Sequence, residues 1–119
     1  MSVVPFTSRT LADLVSERLG TRAAAVENES GTTSVGTSAV VLLPLNPNRV
    51  AAIVINLSAN TLYGAPKSVP SATNGIPVAS NGGVMTLLWE EDFELTGYEW
   101  RFVATGVSSA VYVLSYRVY

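Results

Sequence analysis

NPNRVAAIVINLSANTLYGAPKSVPSATNGIPVASNGG, residues 46–83, decides the fold class of this chain. Arg49–Leu57 is a near-continuous run of Val, Ile and Ala, the pattern of a strand covered on both faces. Turn signals bracket it on each side: Asn46-Pro47-Asn48, Ser58-Ala59-Asn60, Asn74-Gly75 and Asn81-Gly82-Gly83. The short pieces Thr61–Gly64 and Ile76–Val78 are β-prone, and Pro66–Thr73 reads as a Pro/Ser-rich crossing. No helical period survives anywhere in the stretch, which reads as the middle of an antiparallel β-sandwich.

Working outward, Ala39–Leu45 is an apolar run closed by Pro44 and the turn at 46–48. Val84–Trp89 alternates, with Met85, Leu87 and Trp89 on one face. After an acidic loop at Glu90–Glu94, the residues Tyr98, Trp100, Phe102 and Ala104 form the apolar phase of a half-buried strand. Ala110–Tyr119 is the last strand. Seven or eight short strands at roughly 8–12-residue spacing predict an all-β, jelly-roll-like antiparallel sandwich over residues 38–119.

Residues 1–37 read differently, as an arm, a helix and a linker. Ser2–Phe6 is a short apolar arm, and Thr7 or Ser8 is placed to cap a helix. Leu11, Leu14, Val15 and Leu19 fall on one stripe, and Gly20 is a natural stop. A helix of about 12 residues is marginal alone and must pack on something, either its own domain or a neighbouring subunit. Thr21–Ala25 fits a strand or a second short helix. Val26–Ser38 reads as a connector, with room for a weak edge strand around Thr32–Val35.

Composition removes whole classes of function. The chain has 119 residues, enough for one ordinary domain. Hydrophobic residues make up 48 %, so a core is within reach, while charged residues are only 13 % against a usual share of about 25 %. Such a surface is either built from Ser, Thr, Asn and Gly or hidden in an assembly. A net charge of −2, with seven scattered basic residues, opposes nucleic-acid binding. The absence of Cys and His removes thiolate nucleophiles, disulfides, Cys/His zinc sites and a Ser-His-Asp triad. No apolar run reaches membrane-spanning length, and MSVVPFTSRTLADL has neither the basic start nor the apolar core of a secretion signal. The product is expected to be made and kept, or assembled, in the cytosol.

Five of the nine acids, Glu90, Glu91, Asp92, Glu94 and Glu99, lie within ten residues. Ca²⁺ wants six to eight oxygens, but the alternating D-x-D-x-D-G pattern is missing, so the segment reads as a solvated loop or a docking surface for basic residues. No metal, cofactor or catalytic residue is expected. A paired-carboxylate glycosidase would need a cleft, and both Trp89 and Trp100 fit the core phase of their strands. A sugar-binding face built from Tyr63, Trp89, Tyr98 and Trp100 stays open beside the reading of those aromatics as core. The candidate partner-binding set is Val3, Val4, Phe6, Leu11, Leu14 and Val15, with Glu90, Glu91 and Asp92.

Arg49, the strand Val50–Asn56, Leu62-Tyr63-Gly64, the Gly75-Ile76-Pro77-Val78 piece and the turn Asn81-Gly82-Gly83 together resemble small virion proteins of tailed bacteriophages. The final strand, Val111–Tyr119, fits as well. The likeness spans roughly Leu43–Tyr119 and carries no active-site signature. It implies a jelly-roll-like, non-enzymatic protein that decorates or cements a capsid in the virion, assembled in the host cytoplasm. Its partners would be the major capsid protein or other virion proteins and further copies of itself, as a trimer or ring, without nucleic acid or membrane. A head–tail connector, a tail accessory protein and a glycan-binding module for host adhesion stay open as alternatives.

Overall fold

The structure is a computed structural model and describes residues 10–119, apart from the side chains of Ala12, Val15, Ser16 and Leu19. Helix α1 (Leu11–Leu19) leads into nine strands: β1 (Ala23–Glu27), β2 (Ser34–Val35), β3 (Val40–Leu43), β4 (Arg49–Asn56), β5 (Leu62–Pro66), β6 (Ile76–Val78), β7 (Gly83–Leu88), β8 (Trp100–Ala104) and β9 (Ser109–Val118). Between β7 and β8 lie one helical turn, α2 (Trp89–Asp92), and a 3-10 turn (Phe93–Gly97). The large sheet runs β1-β9-β4-β7, with β2 also paired to β9, and the small sheet runs β3-β8-β5-β6. Every strand pair is antiparallel. The all-β sandwich expected from the sequence is the fold of the chain.

The core lies between the sheets. Leu42, Leu43, Leu62, Val78, Trp100 and Phe102 meet Ala52, Val54, Met85, Leu87, Val111 and Val113 across it. Trp100 and Phe102 stack with ring centroids 6.4 Å apart, and the Trp100 indole N–H donates to the Leu95 carbonyl at 2.8 Å. Gly64 is buried against the Phe102 ring, which a Cβ there would overlap, so the small sheet closes over that ring with glycine opposite it.

Two buried polar residues tie the loops to the sheets. Arg49, 3 % exposed, donates from Nε and Nη2 to Glu29 Oε2 at 3.1 and 2.8 Å. Its Nη1 donates to the carbonyls of Thr96 and Tyr98, and Nη2 also to that of Pro44. All five guanidinium protons are thereby placed. Asn56, fully buried, donates from Nδ2 to the carbonyls of Asn60, Val78 and Ala79, and its Oδ1 accepts from the Ser58 N–H and hydroxyl. The turn at 81–82 is held nearby, with Asn81 and Gly82 at φ 57° and 99° and their N–H groups donating to Ser58 and Asn56 carbonyls.

Several local expectations are resolved or corrected. Thr10 caps the described helix, while Thr7 and Ser8, the caps expected from sequence, lie outside the described residues. Thr10 Oγ1 accepts the Asp13 N–H at 3.2 Å and Asp13 Oδ2 accepts the Thr10 N–H at 3.0 Å, a reciprocal capping box. Of the two readings open for Thr21–Ala25 the strand is the one formed, as β1, and the edge strand allowed around Thr32–Val35 is β2; both pair with β9 in the large sheet, and Val35 is fully buried. The tight turn near 74 is centred on Ala72-Thr73, closed by paired bonds between Ser71 and Asn74. Strand β7 stops at Leu88, and Trp89 is 42 % exposed instead of following Met85 and Leu87 into the core.

The outer face of the large sheet is the unusual surface. In β4 the inward residues Ala52, Val54 and Asn56 are buried, while Ala51, Ile53 and Ile55 point outward and are half-buried. The register sets them in three rows: Tyr116-Ala51-Leu88, Leu114-Ile53-Thr86 and Tyr112-Ile55-Val84. The covering read for both faces of this strand is thus complete on one face and partial on the other.

Candidate functional site

At the end of β7 the chain leaves the sheet because Asp92 reaches back, its Oδ2 accepting the Leu88 N–H at 2.8 Å. Acids in this first turn also suit the positive end of the helix dipole. Trp89 opens this turn and Phe93 follows its last residue, and both side chains border the cavity beside it. Phe93 is 74 % exposed and sits at φ 52°, ψ −129°, a region essentially reserved for glycine. A bulky apolar residue is therefore held in a strained backbone and presented to solvent. Strain of this kind collects at binding and catalytic positions.

Two adjoining concavities open beside this turn. The larger, about 630 Å³, is lined by Leu45, Pro47, Phe93, Glu94, Tyr98 and Val118. The smaller, about 310 Å³, is lined by Leu14 of α1 and by Ala51, Leu88, Glu90 and Tyr116. Arg18, Val50 and Trp89 border both, which makes one continuous groove. Tyr98 is fixed in its wall by a hydrogen bond to Glu94 at 3.0 Å and by the Lys67 ammonium 4.3 Å from its ring centroid. Leu45, 67 % exposed, stands at the far lip just before the turn at Pro47.

Helix α1 reaches the groove through Arg18, whose Nη2 lies 2.7 Å from Glu90 Oε2. Both side chains are more than half exposed, so the pair contributes at most about 1 kcal/mol and steers more than it stabilises. Leu11 and Leu14 remain exposed.

Of the residues singled out from sequence, Leu14 and Glu90 meet on one cavity wall. Leu11 lies on the exposed side of α1, and Glu91 faces solvent. Asp92 serves the turn itself. Val3, Val4 and Phe6 lie outside the described residues, as does the Val15 side chain. The acidic segment is a helical and 3-10 turn, not an irregular loop. Its acids are dispersed: Glu90 pairs with Arg18, Glu94 with Tyr98 and Glu99 with Arg101. Among the described residues no group of three acidic side chains converges on a metal position, and no helix is long and apolar enough to cross a membrane.

The four candidate sugar-binding aromatics do not share a face. Trp89 and Tyr98 line the groove, Trp100 is buried beneath it, and Tyr63 is half-buried on strand β5 of the small sheet. Phe93 and Leu45 were not singled out, although the i, i+4 spacing of Trp89 and Phe93 in a segment that opens with three acids is a helical signal. Comparison with protein-family models, curated proteins and solved structures finds no match to this chain.

Proposed function

We propose that this chain is a non-enzymatic structural subunit of a tailed-phage virion, a capsid decoration or cement protein that binds shell subunits through the groove beside α1. The observation that carries the proposal is Phe93, an apolar ring kept exposed at the cost of backbone strain, next to an exposed Trp89. Large aromatics around a pocket with a polar margin are the usual anchors of a protein interface. Arg18, Glu90 and Glu94 supply that margin. The low charge and the virion-protein likeness of residues 43–119 agree with a protein that works by contact. The same groove would serve at a head–tail junction.

The test is attachment to particles. Purified virions are searched for the chain by mass spectrometry, and particles lacking it are incubated with wild type or with Phe93→Asp and Trp89→Ala variants. The expected result is the chain in virions and loss of attachment in both variants with unchanged circular dichroism. Absence from virions, or attachment unaffected by the substitutions, would overturn the proposal.

A second reading, a glycan-binding module, is favoured by the shared position of Trp89, Phe93 and Tyr98 in the groove wall beside Glu94. It predicts a saturable change in Trp89 fluorescence with host-surface glycans, which the Phe93→Asp variant loses.

A further inference from the structure

The chain holds two Asn-Gly pairs, Asn74-Gly75 and Asn81-Gly82. Asparagine before glycine is the pair most open to loss of its side-chain ammonia, because glycine has no Cβ to keep the following amide nitrogen away from the side-chain carbonyl. The fold treats the two pairs differently. The Gly82 N–H donates to the Asn56 carbonyl and the Asn81 N–H to the Ser58 carbonyl, both at 2.7 Å, so this turn is braced on the fully buried Asn56. Asn74 and Gly75 lie exposed ahead of β6, an edge strand of the small sheet. Asn74 exchanges its backbone bonds with Ser71 alone, and its Nδ2 donates to the Val69 carbonyl at 3.2 Å. Gly75 precedes the β5–β6 ladder, whose first pair is Gly64 with Ile76, and its N–H has no acceptor among the described residues.

We propose that Asn74 is a site of covalent self-modification, at which the folded chain converts its asparagine to aspartate and isoaspartate with water as the co-reactant. The Gly75 amide nitrogen gives its proton to solvent and attacks the Asn74 side-chain carbonyl carbon. A C–N bond forms, the bond from that carbon to Nδ2 breaks, and the nitrogen leaves as ammonia after taking a proton from solvent. The five-membered imide left behind is opened by water at either carbonyl. One opening restores the main chain with an aspartate, and the other routes the main chain through the former side chain. No electrons are gained or lost. Reaching the attack geometry at Asn74 costs the bonds to Ser71 and Val69, both in an exposed hairpin tip that opens by itself. At Asn81 the attacking nitrogen is itself occupied, and freeing it means lifting the turn off the Asn56 carbonyl. Either product adds one negative charge to a chain of net charge −2. The isoaspartate also lengthens the main chain by a methylene, so the paired bonds with Ser71 no longer match and the entry to β6 loosens. The site takes no residue of the groove and is a property of the chain whether or not it works in a virion.

The experiment is ageing of the purified full chain at mildly alkaline pH, folded and, in parallel, unfolded in guanidinium chloride. Both Asn-Gly pairs fall in one tryptic peptide, residues 68–101, so each serves as the other's control when fragmentation in the mass spectrometer locates the modified residue. In the folded chain Asn74 is expected to react at least about tenfold faster than Asn81, the difference that a backbone hydrogen bond held on the attacking nitrogen makes. In the denaturant the two should react alike. An Asn74→Ala variant, its fold verified by circular dichroism, should age without the acidic form that isoelectric focusing finds in wild type. Asn74 left intact in the folded chain overturns the proposal. So does an Asn81 that reacts as fast as Asn74 in the folded chain, a rate difference that persists undiminished in the denaturant, or an acidic form that appears equally in the variant.

Discussion

Arg49 and Glu29 form an ion pair at 2.8 Å in which the arginine side chain is fully buried and the glutamate is 11 % exposed. The remaining arginine donors go to carbonyls in the segment before β4 and around the 3-10 turn, and Glu29 also accepts from Asn46 and Ser115. One side chain thus fastens the turn after β1, the segment ahead of β4 and the wall of the groove. Removing one partner strands the other without water. Glu29→Gln and Arg49→Lys are each expected to destabilise the fold by about 3 kcal/mol. Lysine cannot reproduce a planar five-donor fork, so it is no conservative replacement. Urea denaturation gives the measurement, and a loss smaller than about 1 kcal/mol for both would show the pair to be incidental.

Asn56 is asked for its amide hydrogens in three directions. Asn56→Asp keeps the shape and replaces a donor by an oxygen facing the carbonyls of Asn60, Val78 and Ala79. The expected cost is at least about 3 kcal/mol at neutral pH, since a buried acceptor would face three acceptors. A thermal melt of the variant indistinguishable from wild type would contradict this hydrogen-bond assignment.

Gly64 and Phe102 are coupled by shape. Gly64→Ala should destabilise by about 1–3 kcal/mol through overpacking. Phe102→Leu makes room, so the double variant should lose less than the sum of the two single changes. A double-mutant cycle reads the coupling directly, and additivity within about 0.5 kcal/mol would dispose of it.

Phe93 offers a separation of stability from function. Glycine adopts φ 52°, ψ −129° without penalty, and the exposed ring contributes little to the core. Phe93→Gly is therefore expected to stabilise the fold by about 1 kcal/mol while abolishing attachment to particles. Destabilisation would mean that the ring supports the fold, and retained attachment would remove it from the contact surface.

The parts of the fold legible in sequence are those set by local period. Trp100, Phe102 and Ala104 alternate and are buried as read, and the turns at 46–48 and 81–83 follow from Asn, Pro and Gly chemistry. Thr21–Ala25 stays undecided between strand and helix in the sequence, because an Ala-rich segment has no strong preference and the strand Ala23–Glu27 comes from pairing with β9, some ninety residues away. Trp89 continued the apparent alternation of β7, and only the reach of Asp92 back to Leu88 turns it out of the core. For the site, the stripe of α1 and the acids were visible individually. That Leu14 and Glu90 border one groove depends on the Arg18 to Glu90 contact across 72 residues, which no local pattern encodes.

Strand β9 lies between β1 and β4 and also holds β2. The large sheet consequently cannot assemble in order of synthesis. β1, β2, β4 and β7 all emerge from the ribosome before the strand that unites three of them exists. Until residue 118 has been made, about a hundred residues with an uncovered apolar sheet interior must wait, and closure then proceeds through distant pairings, which are slow. Production of this protein should thus depend on chaperone capacity and on temperature during expression more strongly than its final stability would suggest.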